Sequence, residues 1–361
     1  MKKYLISTQT LLLAIIFICY MLGTTACKKD KDSDNDSNDS WSIPEDEVYD
    51  GGPGKDGIPS IDSPEFVSFD AIDYLEDDDL VLGIKSGNTI RAYPHPILDW
   101  HEIINDDVNG IKLSVTYCPL TGSGIGWDRN VDGSTTTFGV SGLLYNSNLI
   151  PYDRETDSNW SQMKLESVNG SLKGTIPSVI MLVETTWKTW KEMYSNTAVM
   201  SITTGYTRSY GTYPYGSYKT NNDNLLFPIS NDDSRLPQKE RVHGIIAGDK
   251  QRAYQFVLFS DSTQTINDNL NNIPVVIIGN ESKNFILSFE RKIGDSTLTF
   301  LPVQTSLPDV MIDNEGTTWD VFGVATSGPR AGEQLTPTKS FIAYWFAWGT
   351  FYPDIEIYNV N

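Results

Sequence analysis

His95, His101 and Cys118 put two imidazoles and a thiol within one short stretch of the chain, with Glu102 beside the second imidazole. A soft thiolate joined by imidazole nitrogens is a ligand set for copper or zinc. The same atoms also make a nucleophile and base, Cys118 with His101, which Glu102 or Asp99 would orient. Spacing singles out neither chemistry: the chain has no CxxC, HxH or HExxH run, and its Cys-to-His order is not that of a blue-copper loop. A third reading is structural. His101 then donates to a backbone carbonyl from the apolar face of a short helix, and Cys118 fills a buried strand position as a small hydrophobe.

A second polar concentration, Tyr145 to Gln162, contains Tyr152, Asp153 and Arg154. Asp153 and Arg154 would pair and organise a loop, or Arg154 would grip an anionic group of a ligand through its planar fork. Asp153, Glu155 and Asp157 also supply carboxylates for a glycosidase, although nothing in the sequence fixes their separation. Tyr206, Tyr210, Tyr213, Tyr215 and Tyr218 are a third candidate, a glycan- or protein-binding surface with no reactive site, provided that their rings are exposed and contiguous.

The elements that must position these residues come from a chain that aligns with itself. Val81 to Tyr93 (VLGIKSGNTIRAY) matches Val242 to Tyr254 (VHGIIAGDKQRAY), and the order continues through Ile104-Asn105-Asp106 with Ile266-Asn267-Asp268, Arg129 with Arg291, and Phe138 with Phe300. Asp153 to Trp160 faces Asp313 to Trp319, and the Trp187/Trp190 pair faces Trp345/Trp348. Alternating runs such as Lys112–Tyr117 and 274–278 predict strands, with Gly87-Asn88 and Gly248-Asp249 as hairpin turns. Helical spacing is confined to Ile97/Trp100/His101/Ile104, to 185–194 with Thr185 as N-cap, and to Phe341/Tyr344/Trp345/Trp348. The expected fold is mainly β, a β-rich α+β protein of two tandem homologous repeats, each with one or two short helices. Residues 65–205 form the first unit and 241–361 the second, packed on it, with 206–240 as the connection. Comparing the units places His95 against Phe256, His101 near Thr263, Glu102 near Gln264 and Cys118 against Asn280. The first unit therefore holds the reactive side chains, and the second is expected to buttress it. His243 reads as structural.

The chain opens with Met1-Lys2-Lys3 and an apolar run, Leu11 to Leu22, that is too short to span a membrane and stops just before Ala26-Cys27. Residues 1–26 read as a signal peptide, and the segment resembles a bacterial lipoprotein signal with Thr24 where the usual pattern has Leu. Cys27 is then the lipidated residue. The polar run after it predicts a disordered acidic tether over 27–64. An acidic stretch in that position resembles surface-export signals of Bacteroidota lipoproteins, so the expected address is the outer membrane, facing outward or into the periplasm. Of three cysteines, only Cys118 remains in the folded part, which excludes an internal disulfide there. A formal charge of −20 repels nucleic acid and other polyanions, which are excluded as partners.

The segments IRAYPHPILDWHEIIND, VTYCPLTGSGIGWDR, TTFGVSGLLYNSNLIPYDRETDSNWSQ and YWFAWGTFYPD together resemble the bacterial and archaeal family catalogued as Domain of Unknown Function 3179. The resemblance implies that His101-Glu102, Asn105-Asp106, Tyr117-Cys118-Pro119-Leu120 and Tyr152-Asp153-Arg154 occupy characteristic positions. It implies no reaction, cofactor or fold. The site expected from all of this is a polar pocket of the first unit. Its metal ligands would be His95, His101 and Cys118, holding copper or zinc. Its ligand contacts would be Asn105, Tyr152, Asp153 and Arg154, and its catalytic alternative would be Cys118, His101 and Glu102.

Overall fold

Gly87 takes a φ of 57°, open to a residue without Cβ, and turns strand β1 (Leu80–Ser86) back into β2 (Thr89–Pro94). Helix α1 (His95–His101) follows directly, with Pro96 in its first turn, where a missing N–H costs nothing. Glu102 then adopts φ 57° and ends the helix. Ile104, which the helical spacing had included, lies instead in β3 (Ile103–Val108), paired with β4 (Ile111–Cys118) and through it with β5 (Ser123–Asp128). A second layer contains β6 (Phe138–Tyr145) and β7 (Asn148–Asp153). Strand β8 (Val183–Thr186) returns to pair with β1, helix α2 (Trp187–Met193) crosses over, and β9 (Ala198–Met200) lies parallel to β2. The cap of α2 is Thr186, whose hydroxyl accepts from Thr189 N at 3.2 Å; Thr185, expected in that role, is a strand residue bonded to Lys283 O.

The chain after 240 runs through a matching series. β10 (Arg241–Ala247) and β11 (Lys250–Gln255) form a hairpin about Gly248, and β12 (Gln264–Leu270), β13 (Ile273–Asn280) and β14 (Phe285–Glu290) form an antiparallel sheet. β15 (Lys339–Tyr344) pairs with β10, helix α3 (Trp345–Phe351) crosses over, and β16 (Glu356–Ile357) lies parallel to β11. Phe341 and Tyr344, expected on a helical face, belong to the strand before it. Individual bonds recur as well. Asn105 exchanges bonds with Phe138 N and O, and Asn267 does so with Phe300. The Trp160 indole donates to Asp153 at 3.0 Å, and that of Trp319 to Asp313 at 3.0 Å.

The computed structural model describes residues 40–304 and 307–359, all within the unit that starts at Asn38. Cys27, the expected signal peptide and the first part of the expected tether lie outside them. The chain is packed well before residue 64: Ile43 buries with Ile150 and Val168, and Val48–Asp50 pairs with β6. Apolar Trp41, Ile43 and Val48 end the low-complexity stretch there, which corrects the expected boundary. Among the described residues no helix is long and apolar enough to cross a membrane.

Candidate functional site

His95 opens α1 and Asp99 follows four residues later, so the two share a helical face. They look into a cavity of about 360 Å3 that also receives Tyr117 from β4, Glu184 from β8, Arg241 from β10 and Tyr344 from β15. Gly211, Thr212, Tyr213, Lys219 and Thr220 of the connecting segment close over it. The volume falls within the range of about 300–1,000 Å3 usual for small-molecule pockets. The ring of His95 lies 4.4 Å from that of Tyr117, centroid to centroid. Arg241 donates to Glu184 Oε1 at 2.5 Å and to Asn284 Oδ1 at 2.7 Å.

Three buried polar atoms at this cavity find no hydrogen-bond partner among the described residues: His95 Nε2, Asp99 Oδ1 and Glu184 Oε2. A buried polar atom left without a partner costs about 1–3 kcal/mol, so three around one space mark a place where something else supplies the bonds. Burial pushes Asp99 up to about 7, with the Lys219 ammonium and a Tyr117 hydrogen bond acting the other way. Burial also raises Glu184, against the pull of Arg241. His95 is held well below its ordinary value by burial and by the charges of Arg241 and Lys219, which keeps its imidazole neutral. The site thus combines a neutral imidazole, a carboxyl that titrates near neutrality and an ion pair with one oxygen to spare.

The remaining residues expected at the site are placed elsewhere. His101 bonds Pro59 O through Nδ1 at 2.7 Å and the Tyr210 hydroxyl through Nε2 at 2.6 Å, so both its nitrogens are taken. Cys118 is buried, its sulfur 3.8 Å from Ser147 O, and burial together with the Glu102 charge pushes its thiol up to about 11. A thiol so displaced is not a nucleophile near neutrality, and His101 has no nitrogen free to serve as its base. Among the described residues no three His, Cys, Asp or Glu side chains are grouped to hold a metal ion. The set His95, His101 and Cys118 is therefore not brought together as a copper or zinc centre. Glu102 is brought near Cys118, and burial raises its carboxyl to about 8.

Tyr152, Asp153, Arg154 and Asn105 do not line the cavity. Arg154 reaches Asp56 at 3.0 Å and Asp62 at 3.1 Å, not Asp153, and Tyr152 donates to Asp56 at 2.5 Å. Asn105 also donates to Asp62, at 2.7 Å. These side chains fasten residues 56–62 to the sheets. Asp153 accepts from Thr156 and Trp160 and shapes its own loop.

The tyrosines of the connection do not form an exposed platform. Tyr218 is buried and Tyr213 and Tyr215 pack on the core, while Tyr206 is exposed. The Tyr213 and Tyr218 hydroxyls donate to Pro119 O and Leu120 O, each at 3.0 Å, strapping the segment across the loop after Cys118. Lys239 secures the strap from beneath: its ammonium donates to the carbonyls of Tyr218, Asn221 and Asn224 at 3.0, 2.8 and 2.8 Å, and burial lowers it to about 8.

Sequence reasoning gave His95 as a ligand and Asp99 only as an orienter, and it missed Glu184, Arg241, Tyr117 and Tyr344 as wall residues. The available signal was a carboxylate in the otherwise uncharged run Val183-Glu-Thr-Thr-Trp187 and a cation at the mouth of the second hairpin.

A mainly β protein with a polar cavity built from both halves of the chain is thus defined. A family model described as "Protein of unknown function (DUF3179)" matches residues 55–355, and the chain belongs to that family. No curated protein and no solved structure matches it.

Proposed function

We propose that the protein binds a small molecule bearing hydrogen-bond donors in the cavity between α1, β8, β10 and β15. The observation that carries this reading is that Asp99, Glu184 and His95 line one cavity and that Asp99 Oδ1, Glu184 Oε2 and His95 Nε2 are all buried and unpartnered among the described residues. Two of the three are carboxyl oxygens, which when ionised can only accept, so the matching ligand presents an amine or hydroxyls. A primary amine would also stabilise the ionised form of Asp99.

The cellular setting proposed is the extracytoplasmic face of a membrane, with Cys27 lipidated after signal cleavage. What supports it is the order of a basic start, a short apolar run, Ala26-Cys27 and an acidic stretch. Tandem duplication is proposed on the collinear matches between the two halves and on their recurring bonds. In this reading one half has kept His95 and Asp99 on a helix, and the other supplies Arg241 and Tyr344.

Titration of the protein with ethylamine and with ethylene glycol, followed by NMR, tests the binding proposal. Shifts confined to His95, Tyr117 and Tyr344, weakened tenfold or more in Asp99→Asn and Glu184→Gln, are the expected result. Shifts elsewhere, or none, would overturn it. For the anchor, a clickable palmitate fed to cells should label the protein and fail to label Cys27→Ser.

A further inference from the structure

A second cavity, of about 370 Å3, abuts the first at Glu184, which lines both. Three strands pass from one cavity to the next in steps of two residues: Leu80 and Leu82 on β1, Arg241 and His243 on β10, Tyr344 and Ile342 on β15. Side chains two apart on a strand share a face. The cavities therefore follow one another along the same strands, β1 and β8 of the first half and β10 and β15 of the second, with the Arg241–Glu184 ion pair between them.

The two lengths differ in chemistry. The first holds the unpartnered Asp99 and His95. The second is lined by Leu182, Ile180, Ile286 and Phe341 on one part of its wall, while on another His243 Nε2 lies 2.7 Å from the Ser288 hydroxyl, itself 2.5 Å from that of Thr338, and His243 Nδ1 has no partner among the described residues. Glu184 stands at the neck, one oxygen on Arg241 and the other free. A solute that filled only the first length would leave the leucine, isoleucine and phenylalanine wall of the second to water.

We infer that the ligand is an amphiphile, with its donor-bearing head between Asp99 and Glu184 and an unbranched apolar chain running past Glu184 along Leu182 and Ile286. This rests on the reading of the first cavity as a ligand site and adds the class of molecule. An ammonium or a hydroxyl supplies the head equally well, so both are tested.

The experiment is calorimetric titration of the full folded protein with two series, n-alkylamines and n-alkanols from two to eight carbons, below their aggregation concentrations. Each methylene entering the apolar length should tighten binding about fourfold until the cavity is full. Leu182→Trp, which narrows that length, should blunt the dependence on chain length. The arm that binds identifies the head. If short and long probes bind alike and Asp99→Asn weakens both, the first cavity remains a ligand site and the amphiphile is overturned. If the fourfold increments persist in Leu182→Trp, the chain lies elsewhere and the inference falls. If no probe binds, both readings fall together.

Discussion

Asp99 and Glu102 hold carboxyls in places that disfavour their charge, which makes stability depend on pH in a fixed direction. Each is raised in the folded chain by burial, Asp99 to about 7 and Glu102 to about 8. Between the unfolded pKa and the folded one, the folded state binds the extra proton, so stability falls as pH rises through that window. For Asp99 the window runs from about 4 to about 7, and the full penalty is at most on the order of 4 kcal/mol. Asp99→Asn should therefore gain stability relative to the native chain between pH 4 and pH 8, as read from denaturant midpoints at the two pH values; a gap that is constant with pH would contradict the buried carboxyl. Cys118 gives a second check at this scale. Iodoacetamide at pH 8 should label it only after unfolding, since the thiol is both buried and displaced to about 11.

At the scale of elements, each half closes its first hairpin beneath a tryptophan. A Cβ on Gly83 would come within 2.2 Å of the Trp190 ring, and one on Gly244 within 2.2 Å of the Trp348 ring. These glycines are needed for space, so Gly83→Ala and Gly244→Ala should each destabilise by about 1–3 kcal/mol through overpacking, measured by urea unfolding. The hairpins, the strands and the burial of the Trp pairs were legible in the sequence, because alternation and turn glycines are local signals. Helix ends were not. Ile104 keeps helical spacing with Ile97, but Glu102 at φ 57° turns the chain into a strand first, and periodicity cannot register one residue's dihedral. The cavity was legible only at α1, where His95 and Asp99 are near neighbours. Glu184 and Arg241 reach it through the pairing of β8 with β1 and of β10 with β15, contacts far apart along the chain that no spacing rule encodes.

At the scale of the whole molecule the two halves are interleaved. One core joins Trp127, Phe138 and Trp160 of the first half to Phe341, Trp345 and Trp348 of the second. Another joins Val81, Trp187 and Trp190 to Val276, Phe289 and Trp319. Each half thus lends its hairpin and crossover helix to the other's sheet, which is why the cavity between them draws walls from both. Neither core is complete without both halves, so heating should give one transition whose calorimetric and van't Hoff enthalpies agree. Two resolved transitions would show the halves to be separate cooperative units.

Lys239 gives the strap over the cavity an unusual mooring. Its ammonium sits among three backbone carbonyls much as a cation sits in a crown ether, so the loop carries a covalently tethered guest where many loops recruit calcium. The roof over Asp99 is consequently held by a charge that the chain itself supplies.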